Sequence, residues 1–139
     1  TRHHEPCDTY AMTSELWLLT GAIVLALVQV SLATFWAQAQ LGNWRVGPRD
    51  EPRVLTGTAG RLDRAYKNLL ETLPWFAALV LLLHVTERGG QLSLVGAHLY
   101  FWGRVGYAPA YVTGIPWFRT TFWWASMIGM VLLLIEVVV

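Results

Sequence analysis

The chain has 139 residues, enough for one domain, of which 55% are hydrophobic and 14% charged, with a formal net charge of +1. Soluble domains carry roughly 25% charged residues, so this composition excludes an ordinary water-soluble fold. The near-neutral balance offers no basic surface for nucleic acid, and none is expected as a partner.

Residues 1–12 form a polar opening without the apolar core of a secretory signal. They are expected to be an extension, either a tag remnant or an upstream piece of reading frame, ahead of a membrane domain over 13–139. The single cysteine, Cys7, lies there and has no intrachain partner. Thr13 or Ser14 is placed to cap the first helix.

A bilayer core about 30 Å thick needs about 20 mostly apolar residues per span. Such runs are expected over about 16–39, 61–86, 92–112 and 117–139, giving an all-α, four-transmembrane-helix, up-down bundle. The first run contains Gln29 and no charge. A true loop follows, marked by Gly47, Pro48, Pro52 and Gly57. Glu87 to Gly90 and Thr113 to Pro116 are short turns. Eight tryptophans fit a chain that meets the membrane–water boundary repeatedly.

Basic residues set the orientation. Arg45, Arg49, Arg53, Arg61, Arg64 and Lys67 lie between spans one and two, and Arg119 just after the last turn, whereas the other side has Arg2 and Arg88. The positive-inside rule places the first and third loops in the cytoplasm and both termini on the non-cytoplasmic side of a multi-pass protein.

Glu71 and Arg104 fall within spans, where each charge is costly and needs a partner or water. Glu71 lies ten residues after Arg61 and Arg104 nine before Thr113, so both sit roughly 15 Å from their helix ends at 1.5 Å per residue. An ion pair between them is expected, either as a structural clasp or as part of a ligand site. Arg61, Arg64, Asn68 and Glu71 share one helical stripe, as do Tyr100, Arg104, Tyr107 and Tyr111. With Arg119 and Thr120, three helices then bring cations, an amide, a carboxylate and phenols to one region. Such a set suits a small zwitterionic, multiply anionic peptide; headgroup contact by Arg61, Arg64 and Lys67 is the alternative. Pro74 and Pro109 free the carbonyls of Leu70 and Val105 beside these stripes. His98 is expected to be a hydrogen-bonded packing residue, and His84 to lie near the outer boundary.

The segment from Arg61 through Arg64, Ala65, Lys67, Asn68 and Glu71 to Pro74 resembles the helix-two signature of the MAPEG family. These are the membrane-associated proteins in eicosanoid and glutathione metabolism, including microsomal glutathione transferases and prostaglandin E synthases. Gly103-Arg104-Val105, Tyr107, Tyr111, Pro116 and Arg119-Thr120 extend the resemblance. It implies a homotrimer with glutathione held between subunits near the cytoplasmic side. By position it assigns Arg64, Lys67, Asn68, Glu71, Tyr107, Tyr111 and Arg119 to glutathione, Arg119 and Thr120 to catalysis, and Arg104 to Glu71 as a structural partner. No metal is implied.

The sequence departs from the family at the end of helix one, where several members carry an arginine and this chain has Gln38, Gln40 and Asn43. Trp123 replaces a tyrosine of some members, and the turn before Arg119 differs by about one residue. The implied function is a glutathione-dependent transferase or peroxidase acting on a lipophilic small molecule that arrives among membrane lipids. The alternative is a non-catalytic trimeric protein that binds a lipid or serves as a subunit of a larger membrane complex. Ion or proton movement through Glu71, Arg104 and His98 is a third reading.

Overall fold

The computed structural model describes residues 11–139. The expectations for Arg2, Cys7 and most of the N-terminal extension lie outside the described residues. Four long helices follow in chain order: α1 (Ser14–Leu41), α2 (Gly57–Val85), α3 (Gln91–Thr113) and α4 (Pro116–Val138). A short 3-10 turn, Gly42–Arg45, follows α1.

Local chemistry explains the ends. Thr13 caps α1, its hydroxyl accepting from the Leu16 N–H at 3.4 Å. Gly42, at φ 55°, ends it in a conformation that favours glycine. The loop beyond is closed by Gln40. Its side-chain oxygen accepts from the Thr56 N–H at 3.0 Å, and its NH2 donates to the Thr56 carbonyl at 3.2 Å and hydroxyl at 3.1 Å. Those bonds hold the start of α2 beside the end of α1, so α2 begins at Gly57, ahead of the expected start near residue 61. Gly114, left-handed at φ 78°, terminates α3, and Pro116 opens α4 at its first position. Pro74 and Pro109 both lie inside continuous helices.

α1, with 28 residues, is about 42 Å long. The helices α1, α2 and α4 are long and apolar enough to cross a membrane. α3 is as long as α4, but Gln91, Ser93, His98, Arg104 and three glycines dilute its apolar character. The outer surface agrees with a lipid solvent: Trp17, Phe35, Trp75 and Trp117 are each more than 60% exposed, far more bare apolar surface than a protein in water carries.

The helices alternate in direction. At one end, Ser93 at the start of α3 donates to Glu15 at the start of α1 (2.8 Å), and Arg88 donates to the Val137 carbonyl of α4 (2.9 Å). At the other, Arg61 of α2 donates to the Val112 carbonyl of α3 at 2.9 Å. Packing is closest between α3 and α4, through small residues. A Cβ added to Gly129 would meet the Gly96 carbonyl at 2.5 Å and the Tyr100 nitrogen at 2.7 Å. Backbones approach this closely in membranes only through such residues, because lipid supplies no hydrophobic drive to pull helices together.

The apolar core, built on Leu19, Ala22, Phe76, Val80, Leu83, Ala97, Tyr100 and Leu133, fills the half of the bundle nearest the α2–α3 turn. Tyr100 closes it: its ring stacks on Phe76 at 4.0 Å, and its hydroxyl pairs with Thr72 at 3.0 Å. Polar residues therefore gather in the opposite half, near the α1–α2 loop and the α3–α4 turn.

Candidate functional site

At that polar end, helical spacing turns Asn68 of α2, Tyr107 and Tyr111 of α3, and Arg119 and Thr120 of α4 towards one another. They line a cavity of about 410 Å³ together with Trp123 and Trp124. The Tyr107 and Tyr111 rings stand 5.7 Å apart. The Arg119 guanidinium lies 4.9 Å from the Tyr111 ring centre, a cation–π contact that fixes it in the first turn of α4. Arg64 approaches the same tyrosine from α2, donating to its hydroxyl at 3.1 Å. Tyr111 is thus held between two arginines.

Behind this wall lies Arg104, which is 1% exposed. The expected ion pair with Glu71 does not form within the subunit. Arg104 instead donates to Asn68 Oδ1 at 2.6 Å, while Glu71 is exposed and makes no ion pair within 4.0 Å among the described residues. The reason is geometric. Asn68 precedes Glu71 by three residues on the same stripe and lies on the inward side of it, so it meets the guanidinium first. The Tyr100 and Tyr107 rings flank Arg104, each 5.5 Å from it. Among the described residues, its Nε and Nη2 have no hydrogen-bond partner.

Of two further expected residues, Lys67 lies elsewhere and Thr120 lines the cavity with its hydroxyl already engaged. Lys67 pairs with Asp63 at 2.8 Å and faces the α1–α2 loop rather than Arg119. The Thr120 hydroxyl donates to the Pro116 carbonyl at 2.9 Å, so its proton is held by its own helix. The structure thus brings together Arg64, Asn68, Tyr107, Tyr111, Arg119 and Thr120, and leaves Lys67 and Glu71 on neighbouring surface.

The helix-one amides do not enter the site. Gln38 donates to the Gly42 carbonyl at 3.1 Å, and Gln40 is occupied by Thr56. His98 accepts from Trp102 Nε1 at 3.3 Å, so it is hydrogen-bonded as expected, but it lies on an exposed face of α3 and not in a helix contact within the subunit. Trp124 is a wall residue that sequence reasoning missed. The signal was available, since it stands at i+4 from Thr120.

The sequence model of the MAPEG family matches residues 16–139, nearly the whole described chain. The chain belongs to the MAPEG family. No curated protein matches it. As a MAPEG protein with membrane-length helices, it is an integral membrane protein of a family that works in glutathione and eicosanoid metabolism. The match covers all four helices, including every wall of the cavity between Asn68 and Trp124.

Proposed function

We propose that this MAPEG protein is a glutathione-dependent transferase or peroxidase acting on lipophilic electrophiles. The observation that carries the reading is the convergence of Asn68, Tyr107, Tyr111 and Arg119, from three helices, on one cavity at the polar end of the bundle. Glutathione has two carboxylates, an amine and a thiol. The fit is chemical: Arg64 and Arg119 suit anionic groups, the Asn68 amide and the phenols suit polar ones, and Trp123 and Trp124 offer an apolar wall.

When bound, glutathione supplies the thiol nucleophile. The chain's part is to favour its anionic form. A free thiol has a pKa of about 8.5, which a neighbouring guanidinium lowers. Arg119 lies in the first turn of α4, where the helix dipole also favours an anion. For Thr120 to donate a hydrogen bond to sulfur, its proton would have to leave the Pro116 carbonyl, so Arg119 is assigned the larger role.

The assembly follows from the same surface. Glu71, Lys67 and Arg64 form an exposed polar stripe on a membrane-length helix, and lipid tolerates such a stripe poorly. A homotrimer, as the family resemblance implies, covers it with a neighbouring subunit and lets Lys67 and Glu71 join the glutathione site. In this reading α3 is the fourth span, and the first and third loops face the cytoplasm.

Turnover of a chlorinated aromatic with glutathione by the purified protein tests the proposal. Conjugate formation above the uncatalysed rate supports it. The absence of turnover with chlorinated aromatics and lipid hydroperoxides alike rejects it. The second reading, a non-catalytic lipid-binding trimer or a subunit of a larger complex, is favoured by one observation: Gln38, Gln40 and Thr120 all spend their hydrogen bonds within the chain itself.

A further inference from the structure

The α1–α2 loop builds a second concavity, which borders the proposed glutathione site through Arg64 and Lys67 but has its own set of loop arginines. It encloses about 500 Å³ and is lined by Arg45, Arg49, Arg53, Arg64 and Lys67, with Trp44 on its rim. Asp63 is the one carboxylate in its wall, and Lys67 takes it at 2.8 Å. Among the described residues, Arg45, Arg49 and Arg53 have no carboxylate within 4.0 Å. Arg49 Nε donates to the Arg45 carbonyl at 2.8 Å, which fastens the loop in the shape that gathers these cations. Cations gathered on one concavity without a carboxylate in contact favour an anion between them. Arginine forks match phosphate oxygens in geometry as well as charge.

Position narrows the source of that anion. The cavity opens where the apolar run of α1 ends and that of α2 has yet to begin, at headgroup height for a membrane-spanning chain. Trp44 belongs at this level. Val46 and Val54, 81% and 82% exposed, flank the arginines and would be stranded in water; against a bilayer surface they meet acyl chains.

We propose that this cavity binds the phosphate of an acidic phospholipid headgroup, tethering the loop to the leaflet beside the polar end of the bundle. The inference rests on the membrane reading and not on glutathione chemistry. Arg64 and Lys67 line this cavity and are also assigned to glutathione, so the test uses the three loop arginines alone.

Wild-type protein and the R45A/R49A/R53A variant are titrated in mild detergent with short-chain phosphatidylglycerol, short-chain phosphatidylcholine and soluble glycerol phosphate. Binding is read by native mass spectrometry. The wild type is expected to retain phosphatidylglycerol over phosphatidylcholine, and the variant to bind the acidic lipid about tenfold more weakly or worse. R45K/R49K/R53K, which keeps the charge but loses the forks, should recover part of the affinity and fall between the other two. If glycerol phosphate binds as tightly as the lipid, the site takes a free phosphate ester and the membrane-tether assignment fails. Equal retention of the two lipids, or equal affinity in wild type and triple-alanine variant, overturns the site altogether. Glutathione titrated into the same variant keeps the two readings apart. Unchanged affinity leaves two sites, whereas a loss matching the lipid loss makes this cavity part of the tripeptide site and refutes the proposal. Lipid retention remains readable even if the wild type binds no glutathione.

Discussion

Asn68→Ala should be among the most damaging single changes in the polar half of the bundle. The Asn68 oxygen is the hydrogen-bond acceptor of Arg104. Two of the three guanidinium nitrogens already lack partners among the described residues, at 1% exposure. A hydrogen bond to a charged group contributes roughly 1.5–3 kcal/mol, and stranding a buried charge costs about 3–5 kcal/mol. The Tyr100 and Tyr107 faces remain, each offering about 2 kcal/mol to a desolvated cation, so the net loss should be about 3 kcal/mol. For a chain of this length that corresponds to a fall in Tm of roughly 10 °C. Asn68→Asp, which places a carboxylate against the cation, should melt at or above the wild type. Glu71→Ala should cost less, because Arg104 is bonded to Asn68 and not to Glu71 within the subunit. Thermal unfolding in one detergent, without glutathione, compares the variants. If Asn68→Ala melts within about 2 °C of the wild type, or Glu71→Ala falls further than Asn68→Ala, Arg104 is held by Glu71 after all and the assignment is wrong.

Gly129→Leu should destabilise by about 3 kcal/mol or more, because its Cβ alone would press on the Gly96 carbonyl and the Tyr100 nitrogen; a wild-type Tm would mean α3 and α4 lie further apart. Gln40→Ala removes three hydrogen bonds to Thr56 and should leave the global Tm nearly unchanged while trypsin cuts at Arg45, Arg49 and Arg53 several-fold faster. Equal cleavage rates would show that the loop is held by something else. Arg61→Ala breaks the bond to the Val112 carbonyl and opens space beside Gly114; a loss of about 1 kcal/mol is expected, and a larger loss than in Asn68→Ala would contradict the division between wet rim and buried interior.

The helices were legible because hydrophobic runs of membrane length leave little choice. Gln40 is the instructive boundary: a lone amide at the end of an apolar run carries no sign that it will close a loop onto Thr56, and α2 starts early on that account. The partner of Arg104 was misread for a related reason. Rise per residue gives the height of a side chain in the bundle, and by height Glu71 and Arg104 match. Height does not give direction around the axis, where three residues separate Asn68 from Glu71 and decide which one faces inward. The convergence of Tyr107, Tyr111 and Arg119 was readable from stripe spacing together with the short turn at Gly114. The cation-lined cavity was not, since Arg45, Arg49 and Arg53 lie in a loop with no periodicity. Their charges indicated a side of the membrane and nothing about a concavity.

The most direct test of the central claim is whether this cavity makes a thiolate. Glutathione is titrated into wild-type protein and into Arg119→Ala in the same detergent, and the ultraviolet absorbance of the thiolate is followed alongside binding by calorimetry. The account predicts a thiolate signal that saturates with binding in the wild type. In Arg119→Ala that signal should be lost while the affinity falls only modestly, because Arg64 and Asn68 still hold the tripeptide. Glutathione bound by the wild type without a thiolate signal, or an undiminished signal in Arg119→Ala, would contradict it.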